Sequence, residues 1–145
     1  MKHFDENIIK LIRLFAYKMY LIQPDEHIDC VCKDYNTKQG NPACQRCLGI
    51  GQKIKIRTIK GVRQPEGMGV GAMSVNSERG VYFVENNYKL REGDFIIWRG
   101  EIEQITKTER YCSDAEKPVY YYCETIRKKT NKEIFLKNFH RILNR

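Results

Sequence analysis

Apolar residues near the start of the chain recur at the spacing of one helix face. Apolar positions three and four residues apart indicate an amphipathic helix, and this set comprises Ile8, Ile9, Ile12, Phe15, Ala16 and Met19. Asp5 can cap the beginning of such a helix, and Pro24 prevents its continuation. We therefore expect an N-terminal helix over residues 5–22, with its apolar face packed against the rest of the domain or a neighbouring subunit.

Residues 53–127 have the pattern of short strands. KIKIRTI alternates basic side chains with Ile54 and Ile56, which is the period of a half-buried strand. Further strands are predicted at VYFVE, DFIIW, EIEQITKTE and VYYYCETIR, with a tight turn at Arg99-Gly100. The glycine-rich segment 61–73 interrupts them and is predicted to be a long mobile loop. Strands at this spacing favour a small β-barrel or sandwich.

The C-terminal arm, residues 128–145, fits two patterns. Phe135, Phe139, Ile142 and Leu143 would share one face of a helix capped by Asn131, whereas EIFL equally suits a last strand of the sheet. The length of 145 residues fits one domain spanning residues 1–145. The expected class is mainly β (α+β).

The segment 28–52 has a loop composition and contains four of the six cysteines. They form the pattern Cys30-x-Cys32, eleven residues, then Cys44-x-x-Cys47-x-Gly-x-Gly. Two close pairs of soft sulfur donors supply the four corners of a tetrahedral zinc site. Almost nothing in this loop could form a hydrophobic core, so a metal is the obvious source of its order. We predict a structural Zn²⁺ bound by all four cysteines, inserted as a loop in the β domain.

Two alternatives remain at this stage. The four thiols could be unligated in a flexible loop, or His27 could replace one sulfur. Cys112 and Cys123 lie outside the pattern, and we interpret them as half-buried side chains of the last strands.

The formal net charge is +8, with the surplus in residues 30–80 and 124–145. Basic regions of this kind can face nucleic acid or an acidic protein. The residues expected to face DNA or a partner are Lys53, Lys55, Arg57, Arg127, Lys128 and Lys129. Neither a signal peptide nor an apolar stretch of membrane-spanning length is evident, so we expect a protein made in a reducing cytoplasm, with no membrane partner.

No set of nucleophile, base and orienting group is recognisable, so we do not expect an enzyme. Glu101 and Glu103 alternate along a strand face that we expect to be exposed. Tyr120, Tyr121 and Tyr122 alternate across a strand. An outward-facing tyrosine beside the basic residues that follow could stack on nucleic-acid bases, but we favour packing in a core or subunit interface as the explanation.

Two stretches resemble known families. The segment Cys44-Gln45-Arg46-Cys47-Leu48-Gly49-Ile50-Gly51 is similar to one Cys-x-x-Cys-x-Gly-x-Gly repeat of DnaJ-type co-chaperones, without their J-domain signature. More of the chain resembles neck proteins of tailed bacteriophages, of the head-closure or stopper type. That resemblance rests first on a succession of segments: a helix, then IDCVC, a polar loop, PACQRCLGIG and a basic strand. It rests also on GDFIIWRGEIEQI followed by VYYYCETIR.

The resemblance implies a virion protein at the head–tail junction: a β-barrel subunit of a homo-oligomeric ring between portal and tail. Its expected partners are its own copies, a portal or adaptor protein, a tail or tail-terminator protein, and DNA in the channel through sequence-independent phosphate contacts. The alternative function is a zinc-ribbon module that binds nucleic acid as a monomer.

Overall fold

Six antiparallel strands form a closed barrel in the computed structural model, which describes residues 10, 14–65, 79–85, 89–112 and 118–144. The order around the barrel is β1-β2-β3-β6-β5-β4. The strands are β1 Tyr17–Asp29, β2 Gln52–Pro65, β3 Arg79–Glu85, β4 Phe95–Trp98, β5 Glu101–Cys112 and β6 Pro118–Arg127. One helix, α1, follows at Lys132–Leu143. The predicted mainly-β class is confirmed.

The predicted N-terminal helix over 5–22 is wrong in its second half. Residues 14 and 15 are helical, but the chain is extended from Tyr17 onward, and β1 pairs with β2 and β4. Residues 5–9 and 11–13 lie outside the described part of the chain. The predicted loop 61–73 also begins too early, because residues 61–65 belong to β2 and pair with β3; residues 66–73 are not among those described.

Other local predictions are confirmed. The five predicted strands correspond to β2–β6. Arg99 and Gly100 form a two-residue turn, with φ of 51° and 72°, between the paired residues Trp98 and Glu101. Both residues have the positive φ that such a hairpin turn requires. The C-terminal arm, for which the sequence left helix and strand open, is helical. Asn131 stands at its beginning with a left-handed backbone, but its side chain makes no capping hydrogen bond.

Apolar side chains fill the inside of the barrel and also cover part of its outer wall. The interior cluster includes Met19, Leu21, Tyr82, Ile96 and Tyr121. The outer cluster lies between the wall and α1, and includes Ile22, Leu48, Phe95, Ile97, Ile102, Phe135 and Phe139. The side chains of β4 and of the middle of β1 therefore alternate between two apolar environments, whereas both ends of β1 are exposed.

A buried ion pair crosses the barrel interior beside this core. The Arg63 guanidinium donates to both carboxylate oxygens of Glu103, at 2.7 and 2.9 Å. The hydroxyls of Tyr82 and Thr125 also donate to Glu103, which is 1% exposed. The expectation that Glu103 lies on a solvated face is wrong: its strand turns that face into the barrel, where its charge is fully hydrogen-bonded.

Helices in the described part of the chain are too short or too polar to cross a membrane.

Candidate metal centre

The cysteine loop, residues 30–51, leaves and re-enters the barrel at one point. Its flanking residues Asp29 and Gln52 are paired across β1 and β2, and the Cys30 amide donates to the Gly51 carbonyl at 3.0 Å. Both ends of the loop are therefore fixed by the sheet, so ordering the remainder requires only local contacts.

Four cysteine sulfurs meet inside this loop. The Sγ atoms of Cys30, Cys32, Cys44 and Cys47 all lie within 4.8 Å of one another. The separation is 3.8 Å between Cys30 and Cys44 and 3.4 Å between Cys32 and Cys47. Four thiolates about 2.3 Å from a tetrahedral ion would be about 3.8 Å apart. The arrangement can therefore hold one metal ion.

Backbone amides point at three of the four sulfurs. The Asn41, Arg46 and Gly51 amides donate to the sulfurs of Cys32, Cys44 and Cys47 respectively, each at 3.4 Å. Such bonds orient a thiolate ligand and disperse its negative charge. The loop backbone thus supplies a second layer around the candidate ligands.

Glycine is required at two points of this backbone. Gly51 has a φ of 89°, a conformation that other residues seldom adopt. Gly40 lies against it so closely that a Cβ on Gly40 would stand 2.5 Å from the Gly51 nitrogen. The two halves of the loop cross here, directly beside the sulfur that the Gly51 amide contacts.

The loop is seated on the barrel and on α1. Leu48 is 3% exposed and belongs to the outer apolar cluster, against which Ile50 also packs. Asn138 of α1 is buried and donates its side-chain amide to the Ala43 carbonyl at 3.3 Å. Two independent contacts therefore hold the second cysteine pair in place.

The thiols of the cluster differ in how readily they lose their protons. Burial raises the pKa of the Cys47 thiol to about 12 and also raises the pKa of Cys32. At Cys44 burial acts in the same direction, but amide donors from Cys47 and Arg46 outweigh it and lower the pKa to about 7. Because some of these thiols stay protonated near neutral pH, a metal that binds all four must displace protons.

The remaining candidate ligands lie elsewhere. His27 is exposed on β1 and is not part of the sulfur group. Cys123 is buried in the barrel interior, where burial raises its pKa to about 12. Cys112 ends β5, where its backbone is paired with Pro118 of β6.

The six basic residues predicted to face DNA or a partner form no single surface. Lys53 and Lys55 are exposed on β2, and Arg57 is half-buried with its Nε bonded to Gln23 at 3.0 Å. At the end of β6, the Arg127 Nε lies 3.9 Å from a carboxylate oxygen of Glu101. Lys128 is half-buried over the Phe135 ring, and Lys129 is exposed.

The tyrosine run divides between two environments. Tyr121 faces the barrel interior, whereas Tyr120 and Tyr122 are outside it, each near Phe83. Because Tyr120 is 1% exposed, only Tyr122 of the three is partly accessible.

The sequence gives no local indication of two features of the loop: its exposed apolar side chains and its contact with α1. Val31 and Tyr35 are 84% and 92% exposed, although apolar residues beside metal ligands would ordinarily be assigned to packing. Asn138 reaches the loop from 95 positions downstream. The helical periodicity around it marks a buried face but gives no indication of which loop that face meets.

No protein-family model matches the chain, and comparison with curated proteins gave no significant match.

Proposed function

We propose that Cys30, Cys32, Cys44 and Cys47 bind one structural zinc ion. The support is an all-thiolate donor set at tetrahedral spacing, whose four members leave no coordination position for substrate or water. Thiolate ligands favour zinc, Cu(I) or iron–sulfur chemistry over hard cations. Zinc in this position orders the loop and performs no reaction.

We further propose that the chain is an assembly protein, and that the zinc loop is one of its contact surfaces. One observation carries this proposal: the loop exposes Val31 and Tyr35 almost completely. Ile28, near the end of β1, is 44% exposed and lines the same cleft as Val31. Because the metal fixes the backbone between these side chains, little conformational entropy is lost when a partner buries them.

Within that class, we propose a ring subunit of a tailed-phage head–tail connector, acting in head closure between portal and tail. Support comes from the sequence resemblance together with a small closed barrel that carries a loop with exposed apolar side chains. Identical subunits in a ring need such self-complementary extensions. The chain would then be a virion protein that contacts DNA only through phosphates.

A nucleic-acid-binding module is the second candidate. The observation that favours it is the exposure of Lys53 and Lys55 on β2, immediately after the cysteine loop. These cations could follow a phosphate backbone. This candidate predicts strongly salt-dependent binding of DNA or RNA by the monomer.

Native mass spectrometry of untagged protein, purified without added metal, tests the zinc proposal and the assembly proposal separately. We expect a mass excess of one zinc per chain relative to the denatured protein, and closed oligomers of a single size. Absence of zinc, with none bound when it is offered, would overturn the metal assignment. A zinc-bound monomer that binds duplex DNA in a salt-dependent manner would favour the second candidate.

Variants test the contact surface. We expect the double variant Val31→Ser/Tyr35→Ser to retain zinc and to weaken oligomer formation at least about tenfold, because side chains of this size contribute strongly to interfaces. Ile126→Thr is the matched control, since Ile126 is an exposed apolar residue on β6, away from the loop. Equal weakening by both variants would contradict the proposed role of the loop.

A further inference from the structure

Three basic side chains converge on a small cavity beside the base of the cysteine loop. The cavity has a volume of about 240 Å³ and is lined by Gln23, Pro24, Asp25, Lys55, Arg57 and Arg91. Lys55 and Arg57 project from the same side of β2, two positions apart, and Gln23 lies directly across from Lys55 on β1. Arg91 comes from the segment before β4.

Hydrogen bonds fix both guanidinium groups at this cavity. The Arg57 Nε donates to the Gln23 side-chain oxygen at 3.0 Å. Gln23 is itself held, because its amide nitrogen donates to Asp94 at 3.0 Å and to the Lys89 carbonyl at 2.6 Å. Arg91 donates through Nη2 to the Pro24 carbonyl at 3.0 Å. Side chains held in this way lose little further freedom on binding a ligand.

Cations outnumber carboxylates among the residues that line the cavity. Asp25 is the one carboxylate among the lining residues, and its Oδ1 accepts a bond from the His27 amide at 2.9 Å. Among the described residues, neither Lys55 nor Arg91 has an ion-pair partner within 4.0 Å. Asp94 is 2% exposed and lies behind Gln23. Three cations thus surround a space several times the share of one water molecule, about 30 Å³.

We propose that this cavity binds a phosphate group, held by Lys55, Arg57 and Arg91. A guanidinium presents forked donors that match phosphate oxygens, and Lys55 adds a mobile point charge at the rim. The ligand is either a free phosphate anion or one phosphate of a nucleic-acid backbone. As a site for a free anion it goes beyond the proposed function; as a site for a backbone phosphate it rests on the nucleic-acid contacts proposed above and gives them a place on the chain.

Titration of zinc-containing protein with inorganic pyrophosphate tests the site. Binding is followed by calorimetry and by the Nε–Hε signals of Arg57 and Arg91 in ¹⁵N-labelled protein. We expect saturable binding that shifts these signals, and a loss of affinity of at least about tenfold in Arg57→Gln/Arg91→Gln, because two charge-assisted bonds are removed. Lys60→Gln, an exposed cation on β2 outside the cavity, should bind within about twofold of the parent.

Two further measurements keep the result unambiguous. If the double variant is unfolded by circular dichroism, Arg91→Gln alone is used, since its guanidinium contacts a single backbone carbonyl. A parallel titration with duplex DNA identifies the source: DNA binding weakened by the same variants indicates a backbone phosphate, whereas pyrophosphate binding alone indicates a free anion. Absence of saturable pyrophosphate binding, or an equal loss in Lys60→Gln, would overturn the proposal.

Discussion

Glu103 is a charged residue whose environment is wholly internal. Arg63, Tyr82 and Thr125 together satisfy its carboxylate, and a Cβ on Gly80 would come within 2.9 Å of both members of the ion pair. A buried pair of this kind costs desolvation energy to form. Removing one partner of the pair is therefore far more damaging to stability than replacing both partners with apolar residues.

Glu103→Ala should lower the free energy of unfolding by about 3–5 kcal/mol, because it leaves the Arg63 charge buried without its partner. Chemical denaturation measures this loss. Arg63→Met/Glu103→Leu removes both charges and should cost less than Glu103→Ala alone. Glu109→Gln, on the partly exposed Lys107–Glu109 pair, is the control and should change the free energy by less than about 1 kcal/mol. A double variant less stable than Glu103→Ala would contradict this account.

The pH dependence of stability tests whether burial of Lys128 disfavours its charged form. Burial lowers the pKa of its ammonium below the ordinary 10.5. Between the lowered folded pKa and 10.5, the unfolded chain binds more protons, so Lys128 makes stability rise with pH in that window. Lys128→Met should therefore be more stable than the parent at pH 7, and this advantage should shrink as the pH approaches 10.5. Urea denaturation across this range measures it; a constant difference would show that the ammonium is not penalised by burial.

At the scale of elements, the alternating strand β2 is predicted from its pattern, whereas β1, which follows a helical period, is not. KIKIRTI alternates clearly, and β2 lies where that pattern puts it. In β1, Met19 and Leu21 face the barrel interior while Ile22 faces α1, so the alternation disappears. The apolar positions upstream then extend a helical period into the strand. The group of four cysteines is predictable because their spacing is itself the signal, whereas the Gln23–Arg57 contact exists only after β1 and β2 pair.

The crossing of Gly40 and Gly51 controls the shape of the cysteine loop. In Gly40→Ala the new Cβ meets backbone at 2.5 Å, which no side-chain adjustment can relieve. The Gly51 amide would move away from Cys47, and we expect zinc affinity to fall about 10- to 100-fold. Competition with a chromophoric chelator measures this change.

Gly100→Ala is the matched control for Gly40→Ala. Its Cβ would meet nothing within 4 Å, and its φ is 72°, so the cost is backbone strain alone, about 1–2 kcal/mol. Zinc affinity should be unchanged. A similar loss of affinity in the two variants would show that the effect is global destabilisation.

At the scale of the whole molecule, the barrel interior and the cysteine loop are held by different forces. The interior is an apolar cluster complete without the loop, whereas the loop depends on its sulfurs and on the contacts of Leu48 and Asn138. Removal of zinc by a chelator should therefore abolish amide protection across residues 30–51 while β3, β5 and β6 stay protected.

Hydrogen exchange with mass-spectrometric detection measures this difference directly. The apparent melting temperature should also fall by a few degrees, because the Leu48 contact with the outer cluster is lost. Cys44→Ser in the presence of zinc should reproduce the effect of the chelator. Simultaneous loss of protection throughout the barrel would contradict the separation of the two parts.

The pairing of Asp29 with Gln52 has a consequence for how such a chain can change over evolutionary time. Insertions are best tolerated where the two points of attachment are already adjacent and hydrogen-bonded. The loop satisfies this condition, and neither attachment residue contributes to the barrel interior. The loop can therefore be gained, lost or exchanged as one unit while the six strands of the barrel keep their pairing. A new contact surface is then acquired in one step.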